Sequence, residues 1–278
     1  MGSGHGRVLS ADQLDRAGES AAKAATSIII SLPPVSSIDF SSDALFLDFD
    51  GTLAEIAPSP DQVAFFPETR ILLQKLSASF SGAVAIVTGR RISEIDRHLA
   101  PLELPVAGLY GLVHRSADRR IYDLPAGDAS IAHVSERLKT FVEANPGLLL
   151  ELKGQTIALH YRARPELAAA CLKAGMAALK TTRGLKLIEG KMVVEIAPAV
   201  ADKGRAIRDF LLEAPFVGRR PIYCGDDVSD EAGFAVVNAL AGITVKIGAG
   251  PSSAQYRTPH IAGLLDWLGK VSESGARA

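Results

Sequence analysis

Cysteine is nearly absent: Cys171 and Cys224 are the two in 278 residues. They stand far apart and form neither a metal-binding nor a redox spacing, so two free thiols in a reducing cytoplasm are expected. An excess of either charge is also missing. The chain has 30 Lys and Arg against 31 Asp and Glu, a net charge of −1. No basic surface therefore advertises nucleic acid or an anionic membrane. No apolar run approaches the roughly 20 residues that a bilayer-spanning helix needs. Residues 1–42 are rich in Ala, Ser and Gly, with one short apolar patch at Ile28–Leu32. They lack a basic start followed by a cleavage site, so they read as a flexible tail and not as a signal peptide. With charge near zero and no heptad stripe, a monomer is expected.

What is present is a core-forming composition, 47% hydrophobic and 22% charged, ordinary for a globular chain. From residue 44 short apolar runs alternate with helical spacing. Strands are expected over 44–49, 83–87 and 106–109, with helices over 67–80, starting at Pro67, and 92–99. The middle differs. A helix carries Ile131, Val134, Leu138 and Phe141, strands follow at 148–152 and 156–161, then a helix over 165–180 and strands at 185–188 and 192–196. Alternation resumes with helices over 203–212, 229–239 and 261–268 and strands over 221–224 and 243–247. The fold class expected is α/β: a doubly wound core with a parallel sheet, residues 43–114 and 197–278, interrupted by an inserted α+β cap domain, 115–196.

In an open parallel sheet, ligands bind beyond the carboxyl ends of the strands. Three expected strands end there in polar groups: Asp48 and Asp50 in LFLDFDGT, Thr88 and Gly89 in VTGR, and Asp226, Asp227 and Asp230 in GDDVSDE. Gathered carboxylates repel; two unit charges ~4 Å apart cost roughly 4 kcal/mol at an effective dielectric of about 20. A cation must offset that, or some acids must stay protonated. Oxygen-only donors select a hard ion, and an incomplete acidic shell with room for water and phosphate oxygens suits Mg²⁺. A carboxylate can attack phosphorus, which makes Asp48 a candidate nucleophile. Asp50 can protonate a leaving alkoxide and then activate water. The Thr88 hydroxyl and the Gly89 N–H can hold phosphate oxygens, and Lys203 can neutralise developing charge. A single Asp at a strand end is more often a cap or turn residue; three such ends together are not.

These motifs, DFDGT, VTGR, ADKGRAI and GDDVSDE, resemble in order and spacing those of the haloacid dehalogenase (HAD) superfamily of phosphatases. LDFDGTLAEIAPSPDQV, VEIAPAVADKGRAI and GDDVSDEAGFAVVNALAGITVKIG further resemble the bacterial trehalose-6-phosphate phosphatases, over roughly Ala44 to the last helix. That resemblance implies Mg²⁺-dependent hydrolysis of trehalose 6-phosphate through an aspartyl phosphate in a HAD-like core with an α/β cap. It implies Asp48 as nucleophile and Asp50 as acid and base, with the metal on Asp48, the Asp50 carbonyl and Asp226. Asp230 would be an outer or alternate ligand. Gly89 and Arg90 belong with the substrate-binding set. From the cap it adds Glu151, Lys153, Arg162, Lys191 and Glu195, for each of which a solvated face or internal ion pair is the bland reading. His160 fits a satisfied core histidine equally well. The chain departs from the family pattern in GLYGLVHR: Tyr110 stands where His is usual and Val113 where Glu is often found. Tyr can still donate a hydrogen bond; Val cannot. Other sugar phosphates (sucrose, glucosyl- or mannosylglycerate, hexose) are runner-up substrates. A phospho-receiver or a non-catalytic sugar-phosphate sensor are the readings from other classes.

Overall fold

A computed structural model describes residues 31–57, 62–124, 128–180 and 182–276. Strand β1 (Asp43–Leu47) is buried at every position, as a strand covered on both faces must be. Helix α1 (Pro67–Ser79) starts with proline in its first turn, where the missing N–H costs nothing. Next come β2 (Val84–Val87), α2 (Ile92–Leu99), β3 (Val106–Gly108), β4 (Val113–Arg115) and β5 (Ile121–Asp123). The middle of the chain holds α3 (Asp128–Glu143), β6 (Leu149–Leu152), β7 (Ile157–His160), α4 (Ala168–Leu179), β8 (Leu185–Gly190) and β9 (Val193–Pro198). It closes with α5 (Lys203–Phe210), β10 (Arg220–Gly225), α6 (Glu231–Ala239), β11 (Ile243–Ile247), β12 (Tyr256–Thr258) and α7 (Ile261–Gly275).

Eight strands share one sheet in the order β12-β11-β10-β1-β2-β3-β4-β5, and four form a second, β6-β7-β9-β8. The first sheet is parallel from β12 to β3 and antiparallel where β4 and β5 join. That hairpin carries the large sheet to Asp123, past residue 115, where the insert was expected to begin. Its strands have three residues each and all of β5 is exposed, so no apolar periodicity marked them. The second sheet is antiparallel throughout. Its own core joins Ile131, Val134 and Leu138 of α3 and Cys171 of α4 to Ile157, Leu159, Val194 and Ile196.

In the large sheet β1 lies between β2 and β10, with Leu47 level with Ile86 and with Cys224. The register therefore brings the ends of these three strands to one layer. Beneath it, the Phe46 ring packs with Phe216 at 5.4 Å and Phe210 at 5.8 Å.

Of the expected N-terminal tail, residues 1–30 lie outside the described residues. Residues 31–42 are bound to the core instead. Leu32 and Val35 pack against it, the Ser31 carbonyl accepts the Arg257 N–H at 3.2 Å, and Trp267 Nε1–H donates to the Pro33 carbonyl at 2.8 Å. Nothing periodic announces this, because the contacts are with α7 and β12, more than two hundred residues away. Trp267→Phe removes that buried donor and part of the ring, and is expected to lower stability by about 1–2 kcal/mol in urea denaturation. No change would mean that the segment adds nothing to the core.

Candidate active site

Asp48 follows β1 directly, and its N–H donates to the Cys224 carbonyl at 3.0 Å. Asp226 follows β10, and Asp230 closes the turn behind it. All three are buried, and one oxygen of each lies within 4.8 Å of the others. Lys203 penetrates this group from the first position of α5, whose N-terminus is capped by Asp202 accepting the Arg205 N–H at 2.7 Å. The Lys203 ammonium donates to Asp48 Oδ1 and Asp230 Oδ1, both at 2.7 Å. Asp230 also accepts the Tyr223 hydroxyl and the N–H groups of Asp226 and Asp227, at 2.9 and 2.8 Å. Both its oxygens accept from these donors, so Asp230 anchors the cluster. Among the described residues, Asp48 Oδ2 has only the Thr52 hydroxyl, at 3.5 Å.

Burial sets the charge balance here. It pushes Asp48 well above the carboxylate range, with Lys203 opposing and Asp230 and Asp226 adding to the rise. It likewise pushes Asp226 up to about 6, helped by Asp230. Burial raises Asp230 too, but Lys203 and the hydroxyl of Tyr223 outweigh it and hold this acid ionised. Against burial, Asp230 and Asp48 keep Lys203 charged. Asp226 Oδ1 is buried without a donor among the described residues. An all-oxygen donor set, an excess of acid and an orphaned carboxylate oxygen together fit a hard divalent cation. Gly51 makes the close approach possible: its φ is +78°, and a Cβ there would lie 2.0 Å from Asp226 Oδ2. Lys246, from β11, props the Asp226 carbonyl at 2.6 Å.

Asp50, expected at the metal and as acid and base, borders the same cleft as Asp48 and Asp226. Its carboxylate is outside the acid cluster, held bidentately by Arg90 through Nε at 2.6 Å and Nη2 at 2.7 Å. Only a contribution through its main chain, as the resemblance implied, is compatible with the metal role. Thr88 is buried and its hydroxyl accepts the Arg90 N–H at 3.2 Å. Asp48, Asp50, Thr88, Gly89, Arg90, Lys203 and Asp226 all border one cleft of about 670 Å³ of non-protein space, its open mouth included.

The opposite wall comes from the second sheet, and it gathers Glu151, Lys153, Arg162, Lys191 and Glu195. The bland and functional readings coexist there. Lys153 pairs with Glu195 Oε1 at 2.6 Å and reaches the Gly89 carbonyl at 3.2 Å. Burial opposes the Lys153 charge, while Glu195 and Glu151 preserve it. His160 Nε2 meets Glu151 Oε2 at 2.9 Å, so this histidine is satisfied on that side by a cleft carboxylate. Arg162 donates to the Ala57 carbonyl across the cleft. Lys191 puts its ammonium on Asp226 Oδ2 and its N–H on Asp227 Oδ2, the latter at 3.0 Å. Sequence reasoning did not foresee that contact, nor Tyr110 and Lys246 as site residues. Lys246 had a signal, a lone cation in an otherwise apolar strand. Tyr110 had one in its departure from the family pattern.

The arrangement gathers a buried acid cluster with one lysine inside it, and a polar cleft walled by charged groups from both sheets. The comparisons agree with that arrangement. The family model described as trehalose-phosphatase matches residues 46–261. The trehalose-6-phosphate phosphatase of Escherichia coli K12 is 40% identical over 229 residues, covering 82% of this chain and 86% of that protein. A probable trehalose-phosphate phosphatase of Sinorhizobium fredii is 41% identical over 213 residues, covering 76% and 80%. The C-terminal domain of Candida albicans trehalose-6-phosphate phosphatase superposes with a TM-score of 0.76 at 21% identity, covering 84% of this chain and 93% of that one. The fold is also that of a HAD-superfamily phosphatase from Bacteroides thetaiotaomicron, TM-score 0.58 at 18% identity, covering 87% and 98%. With its motifs at the ends of β1, β2 and β10 and the model matched across both sheets, the chain belongs to the trehalose-phosphatase family.

Proposed function

We propose that the chain hydrolyses trehalose 6-phosphate to trehalose and phosphate, with Asp48 as nucleophile. The observation that supports this reading is the asymmetry of Asp48, which lines the cleft: Lys203 holds Oδ1 at 2.7 Å, and among the described residues Oδ2 has one distant contact, the Thr52 hydroxyl. Oδ2 attacks phosphorus, the bond from phosphorus to the sugar oxygen breaks, and that oxygen takes a proton from Asp50. Water then gives a proton to Asp50 and attacks phosphorus. Phosphate leaves and the Asp48 carboxylate is restored. For these transfers Asp50 must leave Arg90 and take up a proton from solvent as substrate enters; it gives that proton to the sugar oxygen and recovers one from the attacking water. The Thr88 hydroxyl and the Gly89 N–H receive phosphate oxygens. Asp48, Asp226 and the Asp50 main-chain carbonyl would hold Mg²⁺, which supplies charge neutralisation for the approach of two anions. Lys203 does the same from the protein side.

The unit built from β6–β9, α3 and α4 acts as the cap. Its Glu151, Lys153, Arg162, Lys191 and Glu195 meet the disaccharide, whose hydroxyls pair with charged side chains; Glu195 Oε2, buried and without a hydrogen-bond partner among the described residues, supports this. The enzyme works as a monomer in the cytoplasm, where Cys171 and Cys224, both free and buried, stay reduced. No described helix is long and apolar enough to cross a membrane.

Phosphate release from a panel of sugar phosphates, with and without Mg²⁺, tests the substrate and the metal. Trehalose 6-phosphate is expected to exceed sucrose and hexose phosphates by at least about tenfold in kcat/KM, with activity lost in EDTA and restored by Mg²⁺. Equal rates on all sugars would remove the trehalose claim and keep the phosphatase. Less than one turnover per donor would indicate a phospho-receiver.

Lys203→Met separates structure from chemistry. It leaves Asp48 and Asp230 without their shared cation, so stability should fall by about 3–5 kcal/mol in urea, as for any broken buried pair. Turnover of the folded fraction should fall by on the order of 10²- to 10³-fold. Retained activity would exclude Lys203 from the mechanism.

A further inference from the structure

The tip of the hairpin between β8 and β9 rests on the acid cluster. The two strands pair as far as Gly190 opposite Val193, which leaves Lys191 and Met192 as the turn. Met192 is left-handed, with φ of 60°, and its carbonyl accepts the Tyr161 N–H at 3.0 Å. That contact holds the turn from the cap side. Two aspartates that follow β10 hold it from the core side. The Lys191 N–H donates to Asp227 Oδ2 at 3.0 Å, and the Lys191 ammonium lies on Asp226 Oδ2. Asp227 is itself fixed, because its Oδ1 accepts the Val228 N–H at 2.7 Å and caps the short turn that leads to Asp230. Gly190 lets the hairpin come this near: a Cβ there would lie 3.1 Å from Asp227 Oδ2.

The two ends of Lys191 do different things. Its main chain docks, and its ammonium neutralises. Asp226 is buried whereas the Lys191 side chain is 45% exposed, so a cation from the solvent side meets an acid that water screens poorly. Among the described residues, the cations on the three clustered carboxylates are Lys203 and Lys191, and Asp226 Oδ1 has no donor. Lys246 sits on the Asp226 carbonyl and belongs to the core whatever the hairpin does. With Lys191 withdrawn, three carboxylates face one ammonium, a setting that suits a hard divalent ion. With Lys191 docked, such an ion would share one carboxylate with an ammonium, and like charges that close repel strongly where water is scarce.

We propose that Lys191 competes with the metal: the cap hairpin brings its ammonium to Asp226 as a stand-in cation, Asp227 docks the hairpin there, and the docked hairpin and a divalent ion exclude one another at that carboxylate. The inference rests on the metal role proposed above for Asp226 and is independent of which sugar phosphate is the substrate. Linkage makes the antagonism reciprocal: docking lowers the affinity for the metal, and the metal weakens docking by the same factor. Metal-free protein therefore keeps its hairpin on a neutralised site, and loading the metal frees Lys191 for the substrate.

Calorimetry with Mg²⁺ on metal-stripped, substrate-free protein, together with hydrogen exchange of the hairpin, tests this. Lys191→Met should bind Mg²⁺ about tenfold more tightly than the wild type, the size expected for one hydrogen bond to a charged group. In the wild type, saturating Mg²⁺ should speed exchange of the Lys191 amide, which Asp227 protects, by at least about tenfold. In Lys191→Met the same addition should change that exchange by less than about twofold, because the coupled group is gone. Thermal melting of the metal-free proteins shows that folded chains are being compared. An unchanged or weaker affinity in Lys191→Met would overturn the proposal. So would a tighter affinity with no release of the wild-type hairpin, which would reduce the effect to removal of a nearby charge, and so would slower exchange with Mg²⁺, which would make metal and hairpin partners. Failure of both proteins to bind Mg²⁺ would remove the metal reading and this inference with it; equal binding by both removes the inference alone.

Discussion

One ammonium group holds the acid cluster together. Lys203 stands between Asp48 and Asp230 at 2.7 Å from each, fully enclosed. Without it two buried carboxylates would face one another across a low-dielectric interior. With it, one carboxylate becomes a fixed anchor and the other keeps a free oxygen. Asp230 passes the constraint onward by accepting the N–H groups of Asp226 and Asp227, so the loop that would hold the metal takes its shape from the same ion pair. The helix start at Asp202 and the close approach at Gly51 serve this geometry. Each lets a charged group stand where bulk or a free helix end would otherwise interfere.

The two aspartates two residues apart are separated by partner as well as by position. Asp48 is bound to a lysine that leaves it one open oxygen, whereas Asp50 is clasped on both oxygens by Arg90. The cap repeats this logic with Lys153 on Glu195 and Lys191 on Asp226. Charges in the cleft are therefore held in pairs, each cation offsetting the desolvation of its carboxylate. Pairs bridging the two sheets give the cap a reason to rest on the core.

Much of this was readable without a structure, for a physical reason. Strands buried on both faces must be apolar, so β1, β2 and β10 stand out, and acids at their ends have few structural excuses. Alternation with helices implies a parallel sheet, but that β1 lies between β2 and β10 had to be seen. What escaped reading depended on partners remote in sequence. The three-residue strands β4, β5 and β12 carry no period. Residues 31–42 are ordered by Trp267 and Arg257. That Asp50 turns to Arg90, or that Lys191 reaches Asp226, is decided by side-chain choice among several charged neighbours, which composition and spacing do not encode. Tyr110 was visible as a departure from pattern, but its close cover of Gly89 required the left-handed turn to be seen.

The central claim is that phosphorus is transferred to Asp48. Asp50→Asn protein, mixed with Mg²⁺ and p-nitrophenyl phosphate, whose leaving group needs no acid, and then quenched in acid, should gain the mass of one phosphoryl group, located by peptide mass spectrometry on Asp48. Turnover by wild-type protein with no trapped species in the variant, or a phosphoryl group on any other residue, would contradict the account.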